Sequence, residues 1–360
     1  MKKTLIALAC CGLTVGIAHA QSNVTVYGIV DTGYIKQNGR DVRMGENVNN
    51  RIGFRGQEDL GNGLKATFEL ERRFDLFNGA NRGTEWDGNA NMGLAGKGWG
   101  RVRFGRMNEL TTETLRKFDP FYQYGVGGMI ESTLRSARIS HTARYDSPSW
   151  AGLTFGASYS LGRGTGNDDG WDGRANATTA GALPKIDNDG YALNVSYNNG
   201  PWMATANWSR LADSGDSYNW NLGVAYKFFG QARVSLAYEQ TRDKVGIAGE
   251  GADFSGNVRD GNDLELGASS KQQTWLLGLE WDLGPGQLDA SVNYLKVDEY
   301  GRRRVHFGSD DTILKYALGY TYNLSKRTSV YGFVSYTDAD EGLADRESTT
   351  AFQLGMTHKF

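Results

Sequence analysis

The chain has 360 residues, and its 39 lysines and arginines stand against 41 aspartates and glutamates, which gives a formal net charge of −2. This balance offers no reason to expect a nucleic-acid partner. With 49 glycines, 18 tyrosines, 15 phenylalanines and 9 tryptophans but only 39% hydrophobic residues, the composition does not suit a soluble core of this size, and it is typical of strands with one apolar face.

The first residues have the features of a secretory signal peptide. Lys2 and Lys3 precede an apolar run over residues 5–17, and residues 18–20 form the small-x-small pattern of a cleavage site. The apolar run is shorter than the roughly 20 residues that a membrane-spanning helix needs. We therefore predict that residues 1–20 are a signal peptide.

The mature chain would then comprise residues 21–360 as one domain. Both cysteines, Cys10 and Cys11, lie in the predicted signal peptide. The mature protein is therefore expected to have no disulfide, no cysteine nucleophile and no cysteine metal ligand.

Apolar and polar residues alternate with a period of two along most of the chain, which predicts β-strands. From Trp220 to Phe228, every second residue is apolar, while the residues between them are Asn221, Gly223, Ala225 and Lys227. Six further segments alternate in the same way: 191–197, 202–208, 234–238, 275–281, 288–294 and 314–322. Each apolar face spans about ten residues, the length of a tilted strand that crosses a bilayer.

Short and long connections alternate between the predicted strands. Short turns are predicted at 58–63, 96–100, 147–152, 198–201, 228–231, 283–286 and 323–327. Longer polar segments fall at 37–46, 76–88, 108–133, 164–187, 212–216, 244–267, 299–309 and 339–346. Seven turns and eight loops predict an all-β, 16-stranded antiparallel transmembrane β-barrel, wide enough to keep a water-filled lumen.

Aromatic residues concentrate next to the predicted short turns, where rings of this kind lie at the lipid headgroups. They are Trp150, Tyr197, Trp202, Tyr226, Phe228, Trp281 and Tyr322. The alternative is the core of a soluble β-sandwich, which the many polar residues on the opposite face disfavour. We therefore expect membrane lipid as a partner.

Five segments resemble the general porins of Gram-negative bacteria, in particular the neisserial branch. They are residues 24–31 (VTVYGIVD), 51–66 (RIGFRGQEDLGNGLKA), 102–106 (VRFGR), 143–148 (ARYDSP) and the final Phe360 behind an alternating strand. The segment 51–66 is the most specific of these.

The resemblance implies a homotrimer of barrels in the Gram-negative outer membrane, in contact with lipid and lipopolysaccharide. It also implies that the long third loop folds into each lumen and narrows it. His141 and residues 119–125 depart from the family pattern, which leaves pore size and selectivity open.

Strand parity assigns charged residues to the lumen. Ile52 and Phe54 face lipid, so Arg51 and Arg55 face inward. The same reasoning predicts inward positions for Arg73, Arg101, Arg103, Arg138, Arg144, Glu69 and Glu71. Arg106 lies at the junction with the third loop and stays unassigned.

The third loop carries Glu109, Glu113, Asp119 and Glu131, with Asn108 as the expected N-cap of a short helix. Acids opposite the arginines would create a transverse field, and surplus guanidinium charge would favour anions. The alternative is that the arginines pair with Asp31, Glu69 and Glu71 and only brace the wall.

The sequence therefore predicts a channel for passive diffusion of small hydrophilic solutes and ions, with an anion preference. A channel selective for phosphate or small organic anions is the alternative. An enzyme is disfavoured because His141, His306 and His358 lie far apart, with no ligand spacing for a metal. No cofactor is expected.

Overall fold

The computed structural model describes residues 23–81, 85–130, 138–161, 189–210, 218–243, 270–300, 311–339 and 348–360. The predicted signal peptide lies outside these residues. So do, wholly or mostly, the predicted loops 164–187, 212–216, 244–267, 299–309 and 339–346.

The described residues form strands almost throughout. The strands are β1 (Asn23–Gln37), β2 (Arg43–Gly45), β3 (Arg51–Gly61), β4 (Leu64–Arg73), β5 (Ala90–Gly96), β6 (Gly100–Asn108), β7 (Arg138–Asp146), β8 (Leu153–Ser160), β9 (Gly190–Asn199), β10 (Trp202–Arg210), β11 (Tyr218–Phe228), β12 (Ala232–Asp243), β13 (Ser270–Leu283), β14 (Gly286–Tyr300), β15 (Asp311–Asn323), β16 (Thr328–Ala339) and β17 (Ser348–Lys359). One α-helix, α1 (Leu110–Leu115), and a 3-10 turn at Arg116–Phe118 follow β6. No helix among the described residues has the length and apolar character needed to cross a bilayer.

The strands close into a barrel. From β3 onward each strand pairs antiparallel with the next, and β17 returns to β1, from Ile29 opposite Lys359 to Gln37 opposite Ala351. The strands β2 and β3 both pair with β1, so together they occupy one position in the ring. The barrel therefore has sixteen strands, as predicted, and the seven predicted short turns all fall between consecutive strands.

The first predicted loop, 37–46, is shorter in the structure because Arg43–Gly45 extends the ladder along β1. Between β2 and β3 the backbone of the chain does not pair with β1. There the side chain of Asn50 forms the hydrogen bonds to the β1 backbone instead. Asn50 Oδ1 accepts from the Asp31 N–H at 2.5 Å, and Asn50 Nδ2 donates to the Asp31 carbonyl at 3.1 Å. The side-chain amide of Asn50 thus satisfies both the N–H and the C=O of Asp31, which have no backbone partner from the neighbouring strand there.

Exposure follows the alternation, with the apolar face outside. On β11, Leu222 and Val224 are 48% and 40% exposed, while Asn219 and Asn221 are 4% and 0% exposed. This distribution is the reverse of that in a soluble protein, because lipid rather than water would contact the outer face. The polar face of each strand therefore points into the ring.

We expect Gly28→Ala to impair closure of the barrel. A Cβ at Gly28 would overlap the Phe360 ring and lie 2.7 Å from the Arg51 carbonyl oxygen. Overpacking of this kind costs about 1–3 kcal/mol. The folded fraction after refolding in detergent, read as heat-modifiable migration on a gel, should fall.

Gly98→Ala is the matched control because a Cβ at Gly98 would meet no atom within 4 Å. Equal folded fractions for the two variants would show that the contact of Phe360 with Gly28 does not matter for closure.

Candidate functional site

The segment between β6 and β7, residues 109–137, is here called loop 3, and residues 109–130 of it are described. Glu109 is the N-cap of helix α1. Its side chain accepts hydrogen bonds from the Thr112 N–H and the Thr111 hydroxyl, both at 2.6 Å. The expectation of Asn108 as N-cap was wrong, because Asn108 still pairs with Arg138 at the end of β6. Glu109 is 4% exposed and acts as a cap.

Helix α1 lies against the polar faces of β8 to β11. A Cβ at Gly156 would be 3.0 Å from Leu110 Cδ1, so the leucine packs directly on that glycine. The Thr114 hydroxyl hydrogen-bonds with Asn207 Oδ1 at 2.9 Å. Asn207 in turn belongs to a hydrogen-bonded row of polar side chains that includes Asn194 and Asn221.

Loop 3 continues along the polar faces of β11 to β13. The Phe118 ring lies on Gly223, where a Cβ would come within 2.7 Å of it. The Ser235 hydroxyl donates to the Phe118 carbonyl at 2.6 Å. Pro120 packs on Gly278 in the same way, again 2.7 Å from where a Cβ would be. Glycine at these inward positions leaves the space that the loop occupies.

The tip of loop 3 packs on β15, β16, β17 and β1. Phe121 meets Phe333 edge to face at 5.4 Å between ring centroids. The surrounding cluster comprises Ile35, Phe121, Val126, Ala317, Tyr331, Phe333 and Ala351. Two side chains of the strands form hydrogen bonds with the backbone of loop 3. Lys315 Nζ donates to the Gly128 carbonyl at 2.7 Å, and Gln353 Oε1 accepts from the Val126 N–H at 3.0 Å.

The two predicted aspartates, Asp31 and Asp119, are fully buried. The carboxylate of Asp119 accepts hydrogen bonds from the backbone N–H groups of Phe121, Gln123 and Met129 at 2.7–3.1 Å. These bonds stabilise the turn of loop 3.

Asp31 has a similar role at the wall. Its carboxylate accepts from the Asn47 N–H at 2.7 Å, from the Tyr331 hydroxyl at 2.8 Å and from Thr357. Its contacts therefore join β1 to β16, β17 and the segment that follows β2.

One group of predicted arginines converges on Asp146 at the end of β7. Arg103 lies 2.7 Å from Asp146 Oδ2, Arg144 lies 2.7 Å from Oδ1, and Arg101 lies 3.5 Å from Oδ2. Arg144 also contacts Glu113 of α1 at 3.0 Å. Burial alone would raise the pKa of Glu113, but the charge of Arg144 outweighs it, so the pKa lies below its ordinary value. Glu113 is thus the described loop acid that opposes the arginines.

A second group surrounds Tyr124 at the tip of loop 3. Arg51 and Arg73 lie 3.7 and 3.5 Å from Glu71, and the charges of both arginines act on the Tyr124 hydroxyl. The guanidinium of Arg116 lies 5.5 Å from the centre of the Tyr124 ring. Burial raises the pKa of Tyr124, but the charges of the nearby arginines lower it by more. The pKa of Tyr124 therefore lies below its ordinary value.

The remaining predicted residues lie on the same side of the barrel. Arg55 is stacked over Tyr27 at 5.2 Å, and Glu69 accepts a hydrogen bond from the Tyr27 hydroxyl at 2.9 Å. Arg138 is buried next to the end of β6. The unassigned Arg106 donates to the Ser140 hydroxyl and to the Asp87 carbonyl at the base of the loops. Glu131 lies outside the described residues.

The sequence interpretation missed the residues that receive loop 3. Tyr331 and Phe333 are inward-facing aromatics, and Gly223 and Gly278 are inward-facing glycines. Apolar or small residues at polar-face positions were the available signal. A departure from strict alternation predicts a contact on that face.

The comparisons with known proteins agree with this architecture. A family model described as Gram-negative porin matches residues 4–342. An outer membrane porin protein of Bordetella pertussis is 31% identical, outer membrane porin protein 32 of Delftia acidovorans is 30% identical, and the major outer membrane protein P.IB of Neisseria meningitidis is 28% identical, each over the full length of both chains. The fold resembles that of an anion-selective porin from Comamonas acidovorans, with a TM-score of 0.72 and 24% identity over 94% of this chain and all of that one.

The chain belongs to the Gram-negative porin family. It is accordingly an outer-membrane channel protein and not an enzyme.

We expect Glu113→Gln to destabilise the fold by about 1 kcal/mol at neutral pH. The carboxylate bonds Arg144, but its side chain is 32% exposed and therefore partly screened. Because the pKa is lowered by folding, the contribution is present above the ordinary value of 4.5 and is lost as the pH falls through the folded pKa. Urea unfolding in detergent at neutral and acid pH measures it.

Glu58→Gln, at an exposed position near the end of β3, is the control. A wild-type advantage over Glu113→Gln that grew on acidification would contradict the ion pair.

Proposed function

We propose that the mature chain, residues 21–360 after removal of the signal peptide, forms a water-filled channel for passive diffusion of small hydrophilic solutes and ions, with a preference for anions. The observation that carries the preference is the sharing of Asp146 by Arg101, Arg103 and Arg144. Even with Glu113, which contacts Arg144 at 3.0 Å, two carboxylates cannot neutralise three guanidinium groups. The wall therefore keeps fixed positive charge, which raises the local anion concentration.

We propose that loop 3 lies inside the lumen and narrows it. Its support is the series of contacts between loop 3 and the polar faces of the wall, from Leu110 on Gly156 to Val126 on Gln353. These contacts leave the arginines of β3 to β7 as the opposite side of the narrowed passage. Five of the seven predicted arginines then line or border it, namely Arg51, Arg73, Arg101, Arg103 and Arg144, while Asp31 and Asp119 serve the structure.

The proposed passage favours hydrated, dipolar solutes. Glu113 and Glu71 lie among the arginines rather than far from them, so opposite charges stand close together across a small volume. An apolar solute would have to displace water ordered by these charges without replacing its hydrogen bonds.

We propose that the barrel assembles as a homotrimer in lipid that includes lipopolysaccharide. The support is a gap in the outward aromatic residues. Exposed tryptophans and tyrosines are present on most strands, for example Trp202, Trp208 and Trp281. Neither tryptophan nor tyrosine occurs in β2 to β6 or in β17, and the strands β3 to β5 expose Ile52, Phe68, Met92 and Leu94. Rings that anchor at headgroups are unnecessary where a second barrel replaces lipid.

We expect the purified protein to conduct in a planar bilayer, with a reversal potential in a KCl gradient that favours Cl⁻. Arg51→Gln removes one charge near Tyr124 and should lower the Cl⁻/K⁺ permeability ratio about twofold to fivefold, as expected for one charge in a hydrated pore.

Lys326→Gln, in an exposed turn, should leave the ratio unchanged because bulk salt screens it. A reversal potential that favours K⁺ in the wild type would reject the anion preference. An absence of conductance would reject the channel.

We expect Lys315→Met to loosen the tip of loop 3. The substitution keeps the length of the side chain but removes the donor to the buried Gly128 carbonyl. If loop 3 narrows the pore, single-channel current should become noisier, and liposome swelling should admit larger sugars than in the wild type.

Lys326→Met is the matched control, again at the exposed turn. Current noise and a sugar size limit equal to those of the wild type in Lys315→Met would argue against a narrowing held by this contact.

A further inference from the structure

A polar recess lies on the inner face of β1 and β3 to β6, towards the short turns. Its polar lining includes Thr25, Arg55, Thr67, Asn91, Arg101 and Arg103, and one carboxylate, that of Glu69. Thr67 lies opposite Gly93, and Gly93 lies opposite Arg103, which places these three residues at one level of the ladder. It is separate from the second arginine group around Tyr124.

The recess carries more positive than negative charge, because three arginines line it with one carboxylate, that of Glu69. Arg55 is exposed, and within the described ranges no carboxylate lies at ion-pair distance from it. Glu69 lies directly opposite Arg55 in the ladder, but its Oε1 atom accepts from the Tyr27 hydroxyl at 2.9 Å and from Asn89 Nδ2 at 3.1 Å. The Glu69 carboxylate is thus held by neutral donors rather than by Arg55, and its negative charge offsets only part of the arginine charge.

The arginines on the other wall of the recess are also undercompensated. Arg103 binds Asp146 through Nη2, and the same carboxylate serves Arg101 and Arg144. The side chain of Arg101 is 44% exposed and lies at the longer distance of 3.5 Å. Arg101 therefore has donors left for a molecule that enters the recess.

Two further donors of the recess have no acceptor. Asn91 Nδ2 and Arg103 Nε are buried and form no hydrogen bond in the part of the chain that is described. Asn91 and Arg103 are 7% and 6% exposed. Unsatisfied buried donors cost free energy, and such groups in native proteins are completed by an ordered water or by an ion. An anion with several oxygen atoms would accept hydrogen bonds from the two donors and also balance the charge of the arginines.

We propose that this recess is a binding subsite for a small oxyanion, either a carboxylate or a phosphate. This inference rests on the proposed channel function and names the class of solute that would pause in the pore. The fork of Arg55 suits two oxygens of one carboxylate or phosphate, while Asn91 and Arg103 donate to the same anion from the opposite wall. Arg101 adds charge at the entrance.

The test uses the full-length protein in two independent measurements. In planar bilayers, KCl conductance is recorded while succinate or inorganic phosphate is added at each side in turn. In detergent, isothermal titration calorimetry measures binding of the same two anions against a chloride background. We expect a saturable fall in chloride current, with a lower half-saturating concentration from the short-turn side, and saturable heat of binding for at least one anion.

The variants assign the effect to the recess. Arg55→Gln and Asn91→Leu should each raise the half-saturating concentration at least fivefold, whereas Arg55→Lys should recover part of the affinity because it restores the charge without the fork. Lys227→Gln is the matched control: it removes one positive charge near the same end of the barrel, where Lys227 pairs with Asp282 at 3.6 Å. It should not change the half-saturating concentration. Heat-modifiable migration on a gel verifies that each variant folds.

The outcomes separate this inference from the channel function. Saturation by succinate alone identifies a carboxylate site, saturation by phosphate alone identifies a phosphate site, and saturation by both supports the shared oxyanion chemistry. A channel that conducts chloride but gives neither saturation nor heat overturns the subsite and leaves the channel intact. Without conductance, the channel function fails, and calorimetry alone decides whether the recess binds the anion. Equal loss of affinity in Lys227→Gln would also overturn the assignment.

Discussion

The whole structure depends on pairing every backbone N–H and C=O group within one closed ring of strands. Hydrocarbon offers no water to an unpaired strand edge, so a sheet that crosses a membrane must close on itself. Here the closure is the antiparallel pairing of β1 with β17, while β2 and β3 complete the other side of β1. Once the ring is closed, each strand has one outer and one inner face. The alternation of apolar and polar side chains follows from that geometry rather than from any single residue.

Closure also changes where buried apolar contacts can form. The outer face meets lipid, and sixteen strands enclose more space than wall side chains can fill. Accordingly, the two buried apolar clusters found among the described residues both join loop 3 to the wall, one around Phe121 and the other around Phe118. Loop 3 thus provides, in this protein, the packing that a hydrophobic core provides in a soluble one. That packing explains how a long connection can hold a fixed conformation against a polar wall.

The fold was predictable from the sequence because period-two alternation and turn spacing are local and repeat along the chain. Strand parity likewise predicted inward positions for Arg103 and Arg144. The partners of the loop acids were less accessible, because they depend on where loop 3 meets the wall. Glu109 and Asp119 carry the same charge as Glu113, yet they cap backbone groups while Glu113 meets Arg144. A sequence gives the charge of a loop residue, but only the three-dimensional path of the loop decides its partner.

From the sequence alone, two roles of each arginine are alternatives: lining the pore, or bracing the wall through an ion pair. In this geometry one arginine can have both roles. Arg144 is buried between Glu113 and Asp146 and holds α1 to the wall. The guanidinium keeps its charge at every accessible pH, and Asp146 is shared, so the group remains positive as a whole. Ion pairs fix the positions of these charges, and a fixed charge needs no reorganisation when a solute passes. Under the proposed function, the contacts that brace the wall are therefore the same contacts that keep its electric field constant.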